Sequence, residues 1–151
     1  GTVLDYETKP VLNVTVEVND AALSGTPDDS DTLTINITDV NEAPIITEGE
    51  SVTVTMSQNG QLQQFSLTLH ATDEDQNSTL TWKVLTLAQH GTATVSGTGT
   101  SKVISYTPAA DYYGNDSFVV EVSDGEGGVD TITVNVTITK INQIFLPIVV
   151  R

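Results

Sequence analysis

The sequence contains no cysteine. Neither a disulfide framework nor a thiolate metal site is available, so core packing or bound ions must stabilise the fold. Basic residues are also scarce, since 5 Lys and Arg stand against 20 Asp and Glu and give a formal net charge of −15 at pH 7. This charge repels phosphate backbones, which excludes nucleic acid as an expected partner.

Long apolar runs are absent as well. No stretch approaches the roughly 20 apolar residues that a membrane-spanning helix needs, so membrane insertion is not expected. No signal peptide opens the chain at Gly1, and the start is interpreted as a cut inside a longer protein. The hydrophobic content of 38% is nevertheless sufficient for a modest core.

What the chain does contain is a series of short stretches in which apolar and polar residues alternate, the period of a half-buried strand. Such stretches lie at residues 11–18 and 32–38, and then at 51–56, 65–71, 80–84, 92–96, 102–106, 118–122 and 132–138. About seven short strands in the second set, separated by turn signals and without helical periodicity, predict an all-β, Greek-key Ig-like sandwich.

The two sets of strands are separated by a connector at residues 39–44, Asp-Val-Asn-Glu-Ala-Pro. The residue before a proline is driven to an extended conformation, so the connector is expected to be short and stiff. Two strands cannot bury a face alone. Residues 1–43 are therefore interpreted as the C-terminal portion of a truncated module that is poorly ordered or covered by a partner sheet. Residues 44–142 are expected to form a complete sandwich, and residues 143–151 an apolar tail that is either a packed strand or a terminal signal.

The two sets also repeat one another. Residues 16–20, Val-Glu-Val-Asn-Asp, match residues 120–124, Val-Glu-Val-Ser-Asp. Residues 31–38, Asp-Thr-Leu-Thr-Ile-Asn-Ile-Thr, match residues 130–137, Asp-Thr-Ile-Thr-Val-Asn-Val-Thr. A period of about a hundred residues indicates a repeat of whole domains, so an array of such modules is expected.

Several acidic motifs resemble those of the cadherin family in type and order. Leu4-Asp5-Tyr6-Glu7 is similar to the family's Leu-Asp-Arg-Glu motif, and the connector to its Asp-x-Asn-Asp-Asn-x-Pro linker, with Glu42 and Ala43 as departures. Asp73-Glu74-Asp75 is similar to its Asp-x-Asp motif. Residues 106–118 and 122–125, which run from Tyr-Thr-Pro to Asp-Gly, more closely resemble the cadherin-like repeats of bacterial surface and secreted proteins.

The resemblance implies calcium, a cation that takes 6–8 oxygen ligands from carboxylates, carbonyls and water. The implied ligands at the module junction are Glu7, Asp39, Asn41, Glu42, Asp73 and Asp75, joined by Asp124, with Asp5 and Gln58 as further positions. Gln58 stands where the bacterial repeats usually have glutamate, which removes one charge. Asp20 is interpreted as a ligand of another junction, and Asp28, Asp29 and Asp31 as a solvated loop.

The expected function is calcium-dependent spacing and adhesion at the cell surface or outside the cell, without catalysis. Neighbouring repeats of the same chain are the expected partners, with other cell-surface proteins or polysaccharide as further candidates. Two alternatives stay open, a carbohydrate-binding accessory module of a secreted enzyme and a metal-free spacer. The first needs exposed aromatic residues, and aromatic residues of every kind form only 5% of the chain. Trp82, His70 and His90 are expected to have structural roles.

Overall fold

A computed structural model describes residues 4–22, 24 and 27–141. The chain divides into two compact units, each described by itself below. The first unit is Gly1–Asn41 together with Glu74–Gln76, and the second is Glu42–Asp73 together with Asn77–Arg151. The predictions made for the tail at residues 143–151 lie outside the described residues.

The strands of the first unit form an antiparallel ribbon. Strand β1 (Val11–Val18) pairs with β2 (Asp29–Asn36), from Val11 opposite Asn36 to Val18 opposite Asp29. The first strand has the predicted bounds, whereas the second begins and ends earlier than predicted. Val16 is 54% exposed, Val18 61% and Leu33 58%. As expected for two strands alone, the ribbon leaves its apolar face uncovered.

The second unit is a sandwich of two four-stranded sheets, in the orders β4-β10-β9-β6 and β3-β5-β8-β7. Its strands are β3 (Ile45–Ile46), β4 (Ser51–Ser57), β5 (Leu67–Thr72), β6 (Thr81–Thr86), β7 (Gly91–Thr94), β8 (Ser101–Pro108), β9 (Gly114–Ser123) and β10 (Val129–Thr139). The seven longer strands correspond to the seven predicted ones, and the two-residue β3 was not predicted. β4 pairs parallel to β10, while every other pairing is antiparallel.

Helical structure in the described residues amounts to one 3₁₀ turn, Gln58–Gly60. Asn59 and Gly60 have φ values of 56° and 65°, which agrees with the turn predicted from the Asn-Gly pair. Within the part of the chain that the structure describes, no helix has the length and apolar character needed to cross a membrane.

The core lies between the two sheets and is built from the alternating residues of their strands. Along β9 and β10, every second side chain is buried, as in Val120, Val122, Ile132 and Val134, each 0% exposed. Trp82 is 1% exposed, and its indole N–H donates to the Gly99 carbonyl at 2.7 Å. The core role predicted for this tryptophan is therefore confirmed.

The ribbon and its sequence match in the second unit differ in register. Asp130 lies opposite Val122. Its equivalent Asp31 lies opposite Val16, two residues short of Val18, the equivalent of Val122. A shift of two residues keeps every side chain on its original face, so the alternation of the sequence does not forbid it. In the second unit an opposing sheet packs on β9 and β10 and fixes their register. The first unit has no such sheet among its described residues.

A buried carboxylate ties the loop before β7 to the second unit's two sheets. Asp116 is 8% exposed. It accepts hydrogen bonds from the Tyr106 hydroxyl (2.7 Å) and from the backbone N–H groups of Gln89 (3.0 Å), His90 (2.9 Å) and Ser117 (2.9 Å). Burial raises the pKa of Asp116, but these hydrogen bonds, led by the one from Tyr106, outweigh it and hold the pKa below its usual range.

We expect Asp116→Asn to destabilise the second unit by about 2–3 kcal/mol, because an amide cannot replace a carboxylate that accepts four hydrogen bonds. A folded-state pKa below the unfolded value of about 3.9 contributes stability at neutral pH that is lost as the pH falls through the folded-state pKa. The variant should therefore lose less stability than wild type below about pH 4. Urea unfolding followed by Trp82 fluorescence at several pH values measures both effects.

Glu126→Gln is the control for this prediction, because Glu126 is exposed and lies in a loop of the same unit. Equal urea midpoints for Asp116→Asn and wild type at neutral pH would contradict the assigned role of the carboxylate.

Candidate metal site

Two acidic side chains meet within the first unit, although 68 positions separate them in the sequence. Glu7 and Asp75 each have a carboxylate oxygen within 4.8 Å of the other's, and both side chains are half-buried. Two oxygens that bind one Ca²⁺ at 2.3–2.6 Å lie at most about 5 Å apart. This pair therefore has the spacing and the chemistry of two calcium ligands.

The turn that carries Glu7 is held by Asp5. The Asp5 carboxylate accepts hydrogen bonds from the Thr8 hydroxyl at 2.7 Å and from the Thr8 backbone N–H at 3.0 Å. These bonds, the hydroxyl's first, lower the pKa of Asp5. Asp5 thus has an observed role in shaping the turn. Asp39 and Asn41, the predicted ligands from the connector, are exposed.

Three of the predicted ligands of the second unit share one end of its sandwich: Glu42, Asp73 and Asp124. β3 begins at Ile45, directly after the connector, and Ile45 pairs with Thr72, the last residue of β5. Asp73 follows Thr72 and therefore lies beside the connector, whose Glu42 precedes Ile45 by three residues. Asp124 reaches the same region from the end of β9.

Asp124 is held rigidly by backbone hydrogen bonds. It is 5% exposed, and its Oδ1 accepts from the N–H groups of Glu126 (2.7 Å), Gly127 (3.0 Å) and Gly128 (3.0 Å). Its Oδ2 accepts from the Gly128 N–H at 3.0 Å. Successive N–H groups that converge on one anion form a nest, which fixes the direction of the carboxylate.

The absence of a side chain at Gly128 lets the Asp124 carboxylate and the connector backbone approach one another. A Cβ at this position would overlap Asp124 Oδ2, and would lie 2.7 Å from the Ala43 Cα and 3.0 Å from the Glu42 carbonyl oxygen. Glycine is needed here for close approach. Sequence reasoning missed this residue, although the Asp-Gly-Glu-Gly-Gly run at 124–128 marks a tight loop.

The structure corrects the assignment of Gln58. Its Nε2 donates to the Asp111 carbonyl at 2.6 Å, and its Oε1 accepts from the Ile141 N–H at 3.3 Å. These contacts lie near the end of β10, whereas Asp124 lies near its beginning. Eleven residues of strand span about 35 Å. Gln58 therefore cannot share an ion with Asp124.

The remaining predicted residues have local structural contacts. His70 Nδ1 lies 2.7 Å from Glu48 Oε1, and the His90 ring stacks on Tyr112 at 4.3 Å. In the loop of the first unit, Asp20 Oδ1 accepts from the Ala22 N–H at 2.9 Å. The Asp28 carboxylate accepts from the Asp20 N–H. Asp29 and Asp31 were predicted as loop residues but lie in β2, where each accepts from the next residue's N–H.

We expect Gly128→Ala to lower the free energy of unfolding of the second unit by about 1–3 kcal/mol, the cost of forcing extra volume into a packed site. The methyl group would displace the Asp124 carboxylate or the connector backbone. Urea unfolding followed by Trp82 fluorescence measures the change. Glu126→Ala, in the same loop, keeps the backbone donors and should unfold like wild type, and equal stability of both variants would contradict the close approach.

A family model described as Bacterial Ig domain matches residues 41–137 of the chain. Human protocadherin Fat 1 is 27% identical over 146 residues, a match that spans 93% of this chain and 3% of that protein's length. Among solved structures, extracellular cadherin domains 1–4 of protocadherin gamma B7 match with a TM-score of 0.63 and 18% identity, over 93% of this chain and 34% of that one. Domains EC21–23 of human CDH23 match with a TM-score of 0.62 and 22% identity, over 90% and 49%.

The solved structures have the fold that the alternation of the sequence and its motifs predict, and they confirm a cadherin-like, Ig-type β-sandwich. The family match begins within the connector and ends within β10, and therefore includes all of β3 to β9 and most of β10. The chain belongs to the bacterial Ig domain family.

Proposed function

We propose that this chain is a non-catalytic, calcium-binding module of an extracellular repeat protein, in which Ca²⁺ stiffens the junction between successive modules. The observation that carries the proposal is the approach of Glu7 and Asp75 to within 4.8 Å. Two unit charges about 5 Å apart near a protein surface repel one another by roughly 1–3 kcal/mol. A divalent cation between them reverses the sign of this interaction.

The positions of the other candidate ligands along the chain support the same proposal. The chain passes between the two units after Asn41, after Asp73 and after Gln76. The candidate ligands cluster at these crossings: Asp39, Asn41 and Glu42 at the first, and Asp73 and Asp75 at the other two. An ion bound by residues next to a chain crossing would restrict the motion of the segment that crosses.

The chemistry of the donors fits a hard cation. Carboxylates and an amide carbonyl are the oxygen ligands that calcium prefers, and the described part of the chain offers them without any thiolate competitor. Asp124, held by the backbone nest, would present a carboxylate in a fixed direction and so lose little freedom on binding. Calcium, when bound, supplies charge neutralisation and a rigid coordination shell.

The setting proposed for the module follows from its relatives. The matched structures include extracellular cadherin domains of protocadherin gamma B7 and a cis-dimer of the same protein. By analogy, this chain would act outside the cell as a spacer or adhesive module, next to further repeats of its own protein and facing cell-surface proteins or polysaccharide. The carbohydrate-binding alternative gains nothing from Trp82, which is buried in the core.

The test is a calorimetric titration of the chain with CaCl₂ after chelation, with thermal melting in calcium and in chelator. One site at a hundredfold excess over its Kd adds roughly 2.7 kcal/mol to the bound state. Asp75→Asn and Glu7→Gln should each weaken binding at least about tenfold, because each removes a charged ligand. The rise in melting temperature that calcium gives should shrink correspondingly in both variants.

Glu17→Gln is the matched control, because it removes an exposed acid of the first unit that is not a candidate ligand. It should bind calcium like wild type. No heat of binding and an unchanged melting temperature would leave the metal-free spacer as the correct description.

A further inference from the structure

A groove opens on the second unit between the 3₁₀ turn, the segment that leads into β5, and β8. Its volume is about 600 Å³. Its floor is apolar and its rim is polar, and the residues that matter here are Met56, Asn59, Phe65, Ser66, Ile104 and Tyr106. Met56, Ile104 and Tyr106 belong to the core, so the groove reaches the interior of the sandwich.

The groove exists because β8 is longer than its neighbour β5. Pairing between the two strands ends where Leu67 lies opposite Ile104. β8 continues for four more residues, 105–108, which pair with β7 on the other flank. The flank that faces residues 64–66 is therefore an open strand edge within the sheet. Such edges accept an added strand through backbone hydrogen bonds, with pockets for alternate side chains.

We propose that this groove binds the chain's own C-terminal segment, residues 144–150, which lies outside the described residues. The last described residue is Ile141, and its N–H donates to Gln58 Oε1 at 3.3 Å. Gln58 directly precedes Asn59 and Gly60, which line the groove. The chain thus reaches the mouth of the groove at residue 141. The ten residues that follow can extend about 33 Å, more than twice the length of the open edge of β8.

The composition of the segment suits this groove. Residues 144–150 are Ile-Phe-Leu-Pro-Ile-Val-Val, seven apolar residues in succession. β-Branched and aromatic residues favour an extended strand. The apolar floor formed by Phe65 and the core residues is the complementary surface. Proline, which has no N–H, limits pairing at position 147, as is typical of a strand added at an edge.

The binding proposed here is independent of calcium, since it uses the groove and the tail of the second unit alone. It can be tested by disulfide trapping in the full chain, which has no native cysteine to interfere. Ser66 is exposed at the rim of the groove, so Ser66→Cys should not disturb the fold. Combined with Leu146→Cys, it should form a disulfide within one monomer on mild oxidation.

Thr81→Cys with Leu146→Cys is the control pair. Thr81 is exposed, lies opposite Ser123 at the C-terminal end of β9, and does not line the groove. We expect at least a tenfold higher yield of the monomeric disulfide for the Ser66 pair, measured by mass spectrometry of the linked peptides. Equal yields for the two pairs would overturn the proposal. A disulfide that forms only between two chains would also overturn it, in favour of a second copy as the occupant.

A second measurement needs no engineered bond. Docking should protect those β8 amides of residues 105–107 that point away from β7. Ile148→Asp in the full chain should then accelerate hydrogen exchange of these amides at least tenfold, and leave amides of β9 and β10 unchanged. Identical exchange at residues 105–107 in wild type and variant would show that the tail does not occupy the groove.

Discussion

The fold of this chain depends on covering the apolar faces of its strands, because no disulfide is available to hold them. The two sequence repeats show how an opposing sheet changes the burial of the same pattern of residues. In the second unit, an opposing sheet covers the face of β9 and β10, and Val120 and Ile132 are 0% exposed. In the first unit, the equivalent Val16 and Leu33 are more than half exposed, at 54% and 58%. The same pattern of residues therefore yields a packed core or an open ribbon, according to what lies opposite.

Much of the fold was predictable because alternation is a local property of the sequence. The seven longer strands of the second unit, the Asn59-Gly60 turn and the burial of Trp82 all follow from the spacing of apolar residues and from turn chemistry. β3 could not be predicted because two residues are too few to show a period. The register of the ribbon could not be predicted because a shift of two residues leaves the alternation unchanged.

The candidate site was predictable in its ligand types and only partly in its geometry. The order of the motifs selected Glu7 and Asp75, whose carboxylate oxygens lie within 4.8 Å of one another. It also selected Gln58, which lies at the end of the sandwich opposite to Asp124 because β4 runs parallel to β10. That separation is a matter of topology, which residue types alone do not encode. The nest around Asp124 and the need for glycine at position 128 likewise arise from the approach of distant segments.

The parallel pairing of β4 with β10 has a mechanical consequence for the second unit. β4 is the first long strand after the connector and β10 is the last, and they are joined from Ser51 opposite Thr133 to Ser57 opposite Thr139. Tension applied to the two ends of the unit pulls these strands in opposite directions along their length. All of the hydrogen bonds between them are then loaded together in shear, and none can be peeled off singly. The second unit is thus arranged to resist a pull on its two ends before any strand separates.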